Sequence, residues 1–248
     1  MKKIVFFGGK FIGYKCAELL CNLVAEADLK LIVTNDSDLY GGSDRWYPCM
    51  MELAQKYETR YKATDDSLEC YDLIKELEPD IIFVAYYDQI LPSKIFNLAK
   101  EGAINLHLAD AEKYRGCNAM NYAIINGDKE YGVTLHYIDS GIDSGDIIEK
   151  RLFDIDNKMT VKDLYFKAVQ IGFEVFKDNI SNILNSNVKT YKQNSEKAIL
   201  YKRNELPSHD ISSEIDKKLY DRIRAMIFKP FPAPHFYIGD KKFEIKEI

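Results

Sequence analysis

No run in this 248-residue sequence approaches the roughly 18 consecutive apolar residues that a membrane-spanning helix needs, so a membrane partner is not expected. Cysteine is sparse and unpatterned. Its five residues, Cys16, Cys21, Cys49, Cys70 and Cys117, form neither a CxxC pair nor a CxxC with a downstream HxxxH. That argues against a disulfide framework and against a zinc site, and it suits a reducing cytoplasm. Positive charge is not in excess: 34 Lys and Arg face 39 Asp and Glu, a net −5. A protein that grips a polyanion usually carries a strongly basic face, so nucleic acid is not the expected partner and a small substrate is favoured. There is no internal repeat and no low-complexity tract. The opening "MKKIVFFGGKFIG" has two lysines and a few apolar residues, but glycines interrupt it and no small-residue cleavage site follows, so it reads as a first strand rather than a signal peptide.

With 46% hydrophobic and 29% charged residues, the chain has the composition of an ordinary soluble globular protein. Its length allows one main domain with a small appendage. Over the first 150 residues, β-branched apolar runs ("KKIVFFGG", "LKLIVTND", "DIIFVAYY", "GAINLH") alternate with helical spacing in "FIGYKCAELLCNLVAEA", "CMMELAQKY" and "LECYDLIKELEP". A polar loop, "SDLYGGSDRWYP", follows the second run. This alternation predicts an α/β, Rossmann-like, mostly parallel sheet with helices on both faces, whose ligands bind beyond the carboxyl ends of the strands. Residues 160–184 have the spacing of a long amphipathic helix. A polar connector over 193–214 leads to a tail with a short helix, a proline-rich turn and two strands around Gly239-Asp240, a hairpin signal. The expected division is a catalytic domain at 1–195 and a small C-terminal extension of helix and hairpin at 196–248.

The turn "GGKFIG" stands where a dinucleotide fingerprint would, between a first strand and a first helix. Its middle glycine is replaced by Lys10, so the GxGxxG fingerprint fails. The turn can still hold a phosphate, through Lys10 and a helix N-terminus, or it can be a plain tight connection. A dinucleotide-binding module without catalysis rests on this turn alone.

Asn105 and His107 share side-chain parity at the end of a strand. Downstream, "GVTLHYIDSGIDSGDII" reads as a strand ending near Ile138 and a loop with Asp139, Asp143 and Asp146. An amide, an imidazole and a carboxylate without a serine or cysteine nucleophile suit acyl transfer to an amine. The imidazole takes the amine proton, the carboxylate orients it, and the carboxamide holds the oxyanion. Each residue also has a plainer use. Asn105 can cap a strand end, His107 can be a hydrogen-bonded loop histidine, and the aspartates can bond their own turn backbone. His136 lies mid-strand and reads as structural, as do His209 and His235.

The stretch 104–148, "INLHLADAEKYRGCNAMNYAIINGDKEYGVTLHYIDSGIDSGDII", resembles the core of the formyltransferases that use 10-formyltetrahydrofolate. The resemblance extends more weakly over residues 1–190 and includes "YRG" at 114–116 and "IIFVAYYDQILP" at 81–92. It implies a catalytic set of Asn105, His107 and Asp143: oxyanion holder, proton acceptor, and a carboxylate that supports His107 and relays protons to the departing folate nitrogen. It implies that the folate pterin lies against Gln89, Ile90 and Leu91 and against the loop 137–143, including Asp139, with no metal needed. The loop after His107 departs from the family pattern. It reads Leu108, Ala109, Asp110, Ala111, Glu112 where many relatives have a serine and Leu-Pro.

Within that family, "KYRGCNAMNYAIINGDKEYGVTLHYID" and the terminal "LYDRIRAMIFKPFPAPHFYIGDKKFEI" look most like bacterial sugar-nucleotide N-formyltransferases. The resemblance implies a nucleotide-linked amino-dideoxy sugar as acceptor, with dTDP-4-amino-4,6-dideoxyglucose the expected one. It implies a product for surface polysaccharide such as the O-antigen of lipopolysaccharide, and a homodimer formed through the terminal hairpin. Lys10 and Arg115 are the cations expected near the pyrophosphate. Asn118 is expected at sugar or phosphate, and Trp46, Phe231 or Phe236 as platforms for a base. The alternative is an enzyme like methionyl-tRNA formyltransferase, which usually adds a basic barrel of about a hundred residues to bind tRNA, longer than the tail from 196. A glycinamide ribonucleotide enzyme fits less well, because its phosphate loop is serine- and glycine-rich, unlike "GGKFIG".

Overall fold

The structure is a computed structural model that describes residues 1–38, 46–209 and 218–246. Most of the expected polar loop over 37–48 and the end of the polar connector at 210–214 lie outside the described residues. The strands are β1 (Lys2–Gly8), β2 (Ala27–Thr34), β3 (Arg60–Ala63), β4 (Ile81–Ala85), β5 (Ala103–His107), β6 (Tyr114–Gly116), β7 (Glu130–Tyr137), β8 (Ile147–Asp154), β9 (Ile199–Tyr201), β10 (His235–Ile238) and β11 (Lys241–Glu244). The α-helices are α1 (Lys10–Asn22), α2 (Met50–Lys56), α3 (Tyr71–Leu77), α4 (Ser93–Phe96), α5 (Ala119–Ile125), α6 (Val161–Leu184) and α7 (Leu219–Arg224).

Seven strands form one sheet in the order β3-β2-β1-β4-β5-β7-β8. The pairs from β3 through β5 are parallel, whereas β7 runs antiparallel to both β5 and β8. Successive side chains on β1 sort into two cores. Ile4 and Phe6 pack with Ile12, Cys16 and Leu20 of α1 and Phe176 of α6, and Val5 and Phe7 face Cys70, Ile74 and Ile95 on the other side. Such two-sided burial is why the parallel strands read as continuous apolar runs.

Helix α6 spans the long amphipathic segment and starts on a capping box, in which the Thr160 hydroxyl and the Asp163 carboxylate satisfy each other's backbone N–H groups. The glycine turn has a packing cause. A Cβ at Gly8 would lie 2.1 Å from the Ala85 carbonyl oxygen, so β1 can approach the end of β4 only without a side chain.

Beyond residue 195 the chain stays attached to the sheet domain. Strand β9 pairs with β6, the Asn121 amide donates to the Ala225 carbonyl at 2.6 Å, and buried Arg224 donates to the Met159 carbonyl at 2.7 Å. The hairpin of β10 and β11 turns at Gly239-Asp240, with Gly239 at φ +59.

Candidate active site

Register explains how the polar residues meet. On β5, Ile104 and Leu106 are buried and Asn105 and His107 are partly exposed, so both polar side chains leave the same face. Asn105 is opposite His136 across the antiparallel β5–β7 pair, and His107 is opposite Thr134. Strands β7 and β8 need no crossover because they are antiparallel, and the loop between them carries Asp143 back over the end of β5. The loop returns tightly at Gly145, where a Cβ would lie 1.8 Å from the Tyr137 carbonyl oxygen.

Asp143 sits at the centre. Its Oδ1 accepts from the Asn105 carboxamide at 3.1 Å, and its Oδ2 accepts from the Gly116 backbone N–H at 2.9 Å. His107 Nδ1 lies 3.6 Å from Oδ2, and His136 Nε2 lies 3.6 Å from Oδ1. His107 Nε2 is 2.9 Å from the Tyr114 carbonyl, which can only accept. Nε2 therefore carries the proton, and Nδ1, facing Asp143, is the nitrogen free to take up another. The same logic applies to His136: Nδ1 donates to the Tyr137 carbonyl at 2.8 Å, and Nε2 accepts from Asn105 at 3.3 Å. Burial alone would raise the Asp143 carboxyl pKa. When the His107 and His136 rings are protonated, as imidazolium cations, their charge outweighs burial together with the Gly116 N–H and holds the carboxyl well below the usual carboxylate range.

The loop after His107, which departs from the family pattern, is fixed from below by β7. Tyr131 donates its hydroxyl to the Leu108 carbonyl at 2.9 Å, and Thr134 bonds the Ala109 carbonyl at 2.8 Å and the Ala111 N–H at 3.1 Å.

These groups line a cavity of about 710 Å³. Gln89, Ile90, Leu91 and Asp139 line it, as do Lys10 and Asn118. Asp139 also bonds the Gly141 N–H and the Ser144 hydroxyl within its own turn. Lys10 donates to the Tyr47 hydroxyl at 2.8 Å. Trp46 lines the cavity amid rings, with centroids 4.8 Å from Phe228, 5.5 Å from Tyr165 and 5.9 Å from Phe11, and Phe231 joins it. Two expectations fall elsewhere. Phe236 stacks on Phe243 in the hairpin, outside the lining. Arg115 is also outside it, because its guanidinium is bonded to the Ala111 carbonyl, Gln193 and Ser195.

His136, read from the sequence as structural, is 1% exposed and bonded to Asn105. Its place on a strand was legible, although it lies at the penultimate position of β7 rather than mid-strand, and its partnership depends on β7 pairing antiparallel with β5. No group of three His, Cys, Asp or Glu among the described residues is arranged to hold a metal. No helix among them is long and apolar enough to cross a membrane.

The family model described as "Formyl transferase" matches residues 2–180. A methionyl-tRNA formyltransferase from Clostridioides difficile is 35% identical over 198 residues, which is 78% of this chain and 63% of that protein, so the chain spans less than two thirds of that relative. The methionyl-tRNA formyltransferase of Clostridium tetani is 30% identical over 100% of this chain and 80% of its own length. Among solved structures, an N-formyltransferase from Helicobacter canadensis in complex with folinic acid and dTDP-3-aminofucose is 28% identical with a TM-score of 0.78. The match covers 98% of this chain and 86% of that one. WlaRD, a sugar 3N-formyl transferase solved in the presence of dTDP and 5-N-formyl-THF, is 27% identical with a TM-score of 0.77, covering 94% of this chain and 82% of that one.

Proposed function

This chain belongs to the formyl transferase family, and we propose that it moves a formyl group from 10-formyltetrahydrofolate to the amine of a nucleotide-linked amino-dideoxy sugar. The observation that carries the proposal is the convergence of Asn105, His107 and Asp143 at one wall of a cavity whose other parts include Lys10 and an aromatic cluster. A cation beside aromatic rings suits a nucleoside diphosphate, through phosphate and base. The two solved relatives, one in the presence of dTDP and one in complex with a dTDP-sugar, support this acceptor class.

In the reaction, the acceptor nitrogen attacks the formyl carbon and the bond to the folate nitrogen breaks. The proton lost by the amine goes to His107 Nδ1, and Asp143 stabilises the resulting imidazolium. A proton then reaches the departing folate nitrogen by way of the His107–Asp143 pair. Asn105 turns an N–H toward the developing oxyanion. The folate pterin rests against Gln89, Ile90 and Leu91 and near Asp139, where Val84, Phe96 and Ile138 give the cavity apolar walls that suit a flat ring.

The family resemblance of the sequence suggests a 4-amino-4,6-dideoxyglucose linked to dTDP, whereas of the relatives named above one is a 3N-formyl transferase and the other was solved with a 3-amino sugar. Both belong in the test. The cytoplasm, where the folate donor and free thiols such as the five here coexist, is the proposed site of action, and surface polysaccharide is the proposed destination. Methionyl-tRNA formylation is kept as the second reading because of the 35% identity to such an enzyme. The deciding experiment offers 10-formyltetrahydrofolate with dTDP-4-amino sugar, dTDP-3-amino sugar or methionyl-tRNA in parallel. Turnover of a sugar and a flat low-salt titration with tRNA are expected. Formylation of the tRNA alone would transfer the assignment to the second reading.

A further inference from the structure

Gln193 is beyond residue 180, where the family match ends, on the segment that returns toward the site after α6. Both ends of its side chain are committed. Nε2 donates to the backbone carbonyls of Asp143 at 2.9 Å and Gly145 at 2.7 Å, and Oε1 accepts from Arg115 at 2.7 Å. Arg115 in turn donates to the Ala111 carbonyl at 3.0 Å and the Ser195 hydroxyl at 2.8 Å. The segment is anchored on each side of Gln193. Tyr191 and Ile147 exchange backbone hydrogen bonds at 2.8 and 3.0 Å, and the Asn194 N–H donates to Glu112 at 2.6 Å.

Residues 191–195 thus tie together the two segments on either side of the Asp143 carboxylate. The first, 111–116, supplies the Gly116 N–H that bonds Oδ2. The second, 139–145, carries Asp143 itself at φ +48, in the left-handed region. A non-glycine residue stays there only when its surroundings over-determine it. The Asp143 carbonyl, which rotates with that backbone, is the atom Gln193 holds.

We propose that Gln193, braced by Arg115, is a positioning residue for formyl transfer: it fixes the left-handed backbone of Asp143 and thereby the approach of its carboxylate to His107. The inference rests on the formyl-transfer reading but not on which amine is the acceptor. It also gives Arg115 a use in place of phosphate binding, since the guanidinium is engaged with backbone and Gln193 rather than lining the cavity.

Gln193→Glu tests this. The replacement keeps the size and a partner for Arg115, but it cannot donate to the two carbonyls. If Gln193 were only a staple between segments, the stronger pairing of Glu with Arg115 would preserve function. As a positioning residue, its loss lowers kcat roughly ten- to a hundredfold and leaves KM for donor and acceptor nearly unchanged. A carboxyl ¹³C titration of Asp143, run without any acceptor on Gln193→Met, which removes the same donor without adding a charge, then moves to higher pH than in the wild type, because the contacts that favour the carboxylate loosen. Arg115→Lys is the second variant, expected to change kcat and the titration in the same direction by less, and it stands in for Gln193→Glu should that protein not fold. Unchanged kcat and an unchanged Asp143 titration in a folded variant would overturn the proposal. Absence of formyl transfer by the wild type would instead overturn the functional reading, so the two failures are distinguishable.

Discussion

His107 presents an unprotonated Nδ1 to the carboxylate of Asp143 because its Nε2 proton is fixed on the Tyr114 carbonyl. Replacing either residue by alanine removes a positioned proton-transfer group. The expected loss in kcat is about 10²–10⁴-fold in a steady-state formylation assay, and near wild-type turnover would refute the roles. Asp143 also carries a pH signature. Its folded pKa is depressed, so its ionised form contributes stability above the unfolded carboxylate pKa of about 4, and that contribution is lost as pH falls through the folded value. Chemical denaturation in steps from neutral to acidic pH is therefore expected to show a smaller acid loss for Asp143→Asn than for the wild type. An acidic limb in the rate profile at or above the ordinary carboxylate range belongs to a group other than Asp143. Of this constellation, Asn105, His107 and Asp143 were legible in the sequence through spacing and family resemblance. The amide network was not, because His136 and Gln193 reach it only through strand register and a distant loop.

At the scale of elements, β5 is the hinge of the design, parallel to β4 and antiparallel to β7, and its end carries two of the three proposed catalytic groups. What holds it level is the layer behind it. Phe176 of α6, 1% exposed, meets Phe83 of β4 edge-on with centroids 5.2 Å apart. Phe176→Ala is expected to cost about 3–5 kcal/mol in denaturant unfolding, with KM values for the folded enzyme little changed, since the cavity opened lies in the core and not at the site. The buried strands, α6 and the terminal hairpin could all be read in advance, because their apolar periods and the Gly239-Asp240 turn are local signals. Strands β3 and β8 could not. They are the two edges of the sheet, and Arg60, Lys62, Glu149, Lys150 and Arg151 on them replace apolar alternation with the charges that edge strands favour. Missing β8 also hid the fact that Asp143 sits on a hairpin loop.

For the whole molecule, a net charge of −5 and a cavity whose lining includes the cations Lys10 and Arg203 beside aromatic rings argue for a small anionic acceptor over a long polyanion. The tail is bonded to the sheet domain at β9, Ala225 and Arg224, yet its hairpin leaves Ile238 and Phe243, which share one face of the ribbon, exposed at 63% and 41%. That apolar face is the proposed dimer surface. Light scattering is expected to give twice the chain mass for the wild type and the chain mass for Ile238→Glu, and a wild-type monomer would count against the dimer. The most direct test of the central claim is mass spectrometry of a dTDP-linked amino sugar after incubation with 10-formyltetrahydrofolate and either the wild type or His107→Ala. A formylated sugar nucleotide with the wild type and only a trace with the variant is the predicted result. No formylated product from either the 3-amino or the 4-amino sugar, or equal product from both proteins, would contradict it.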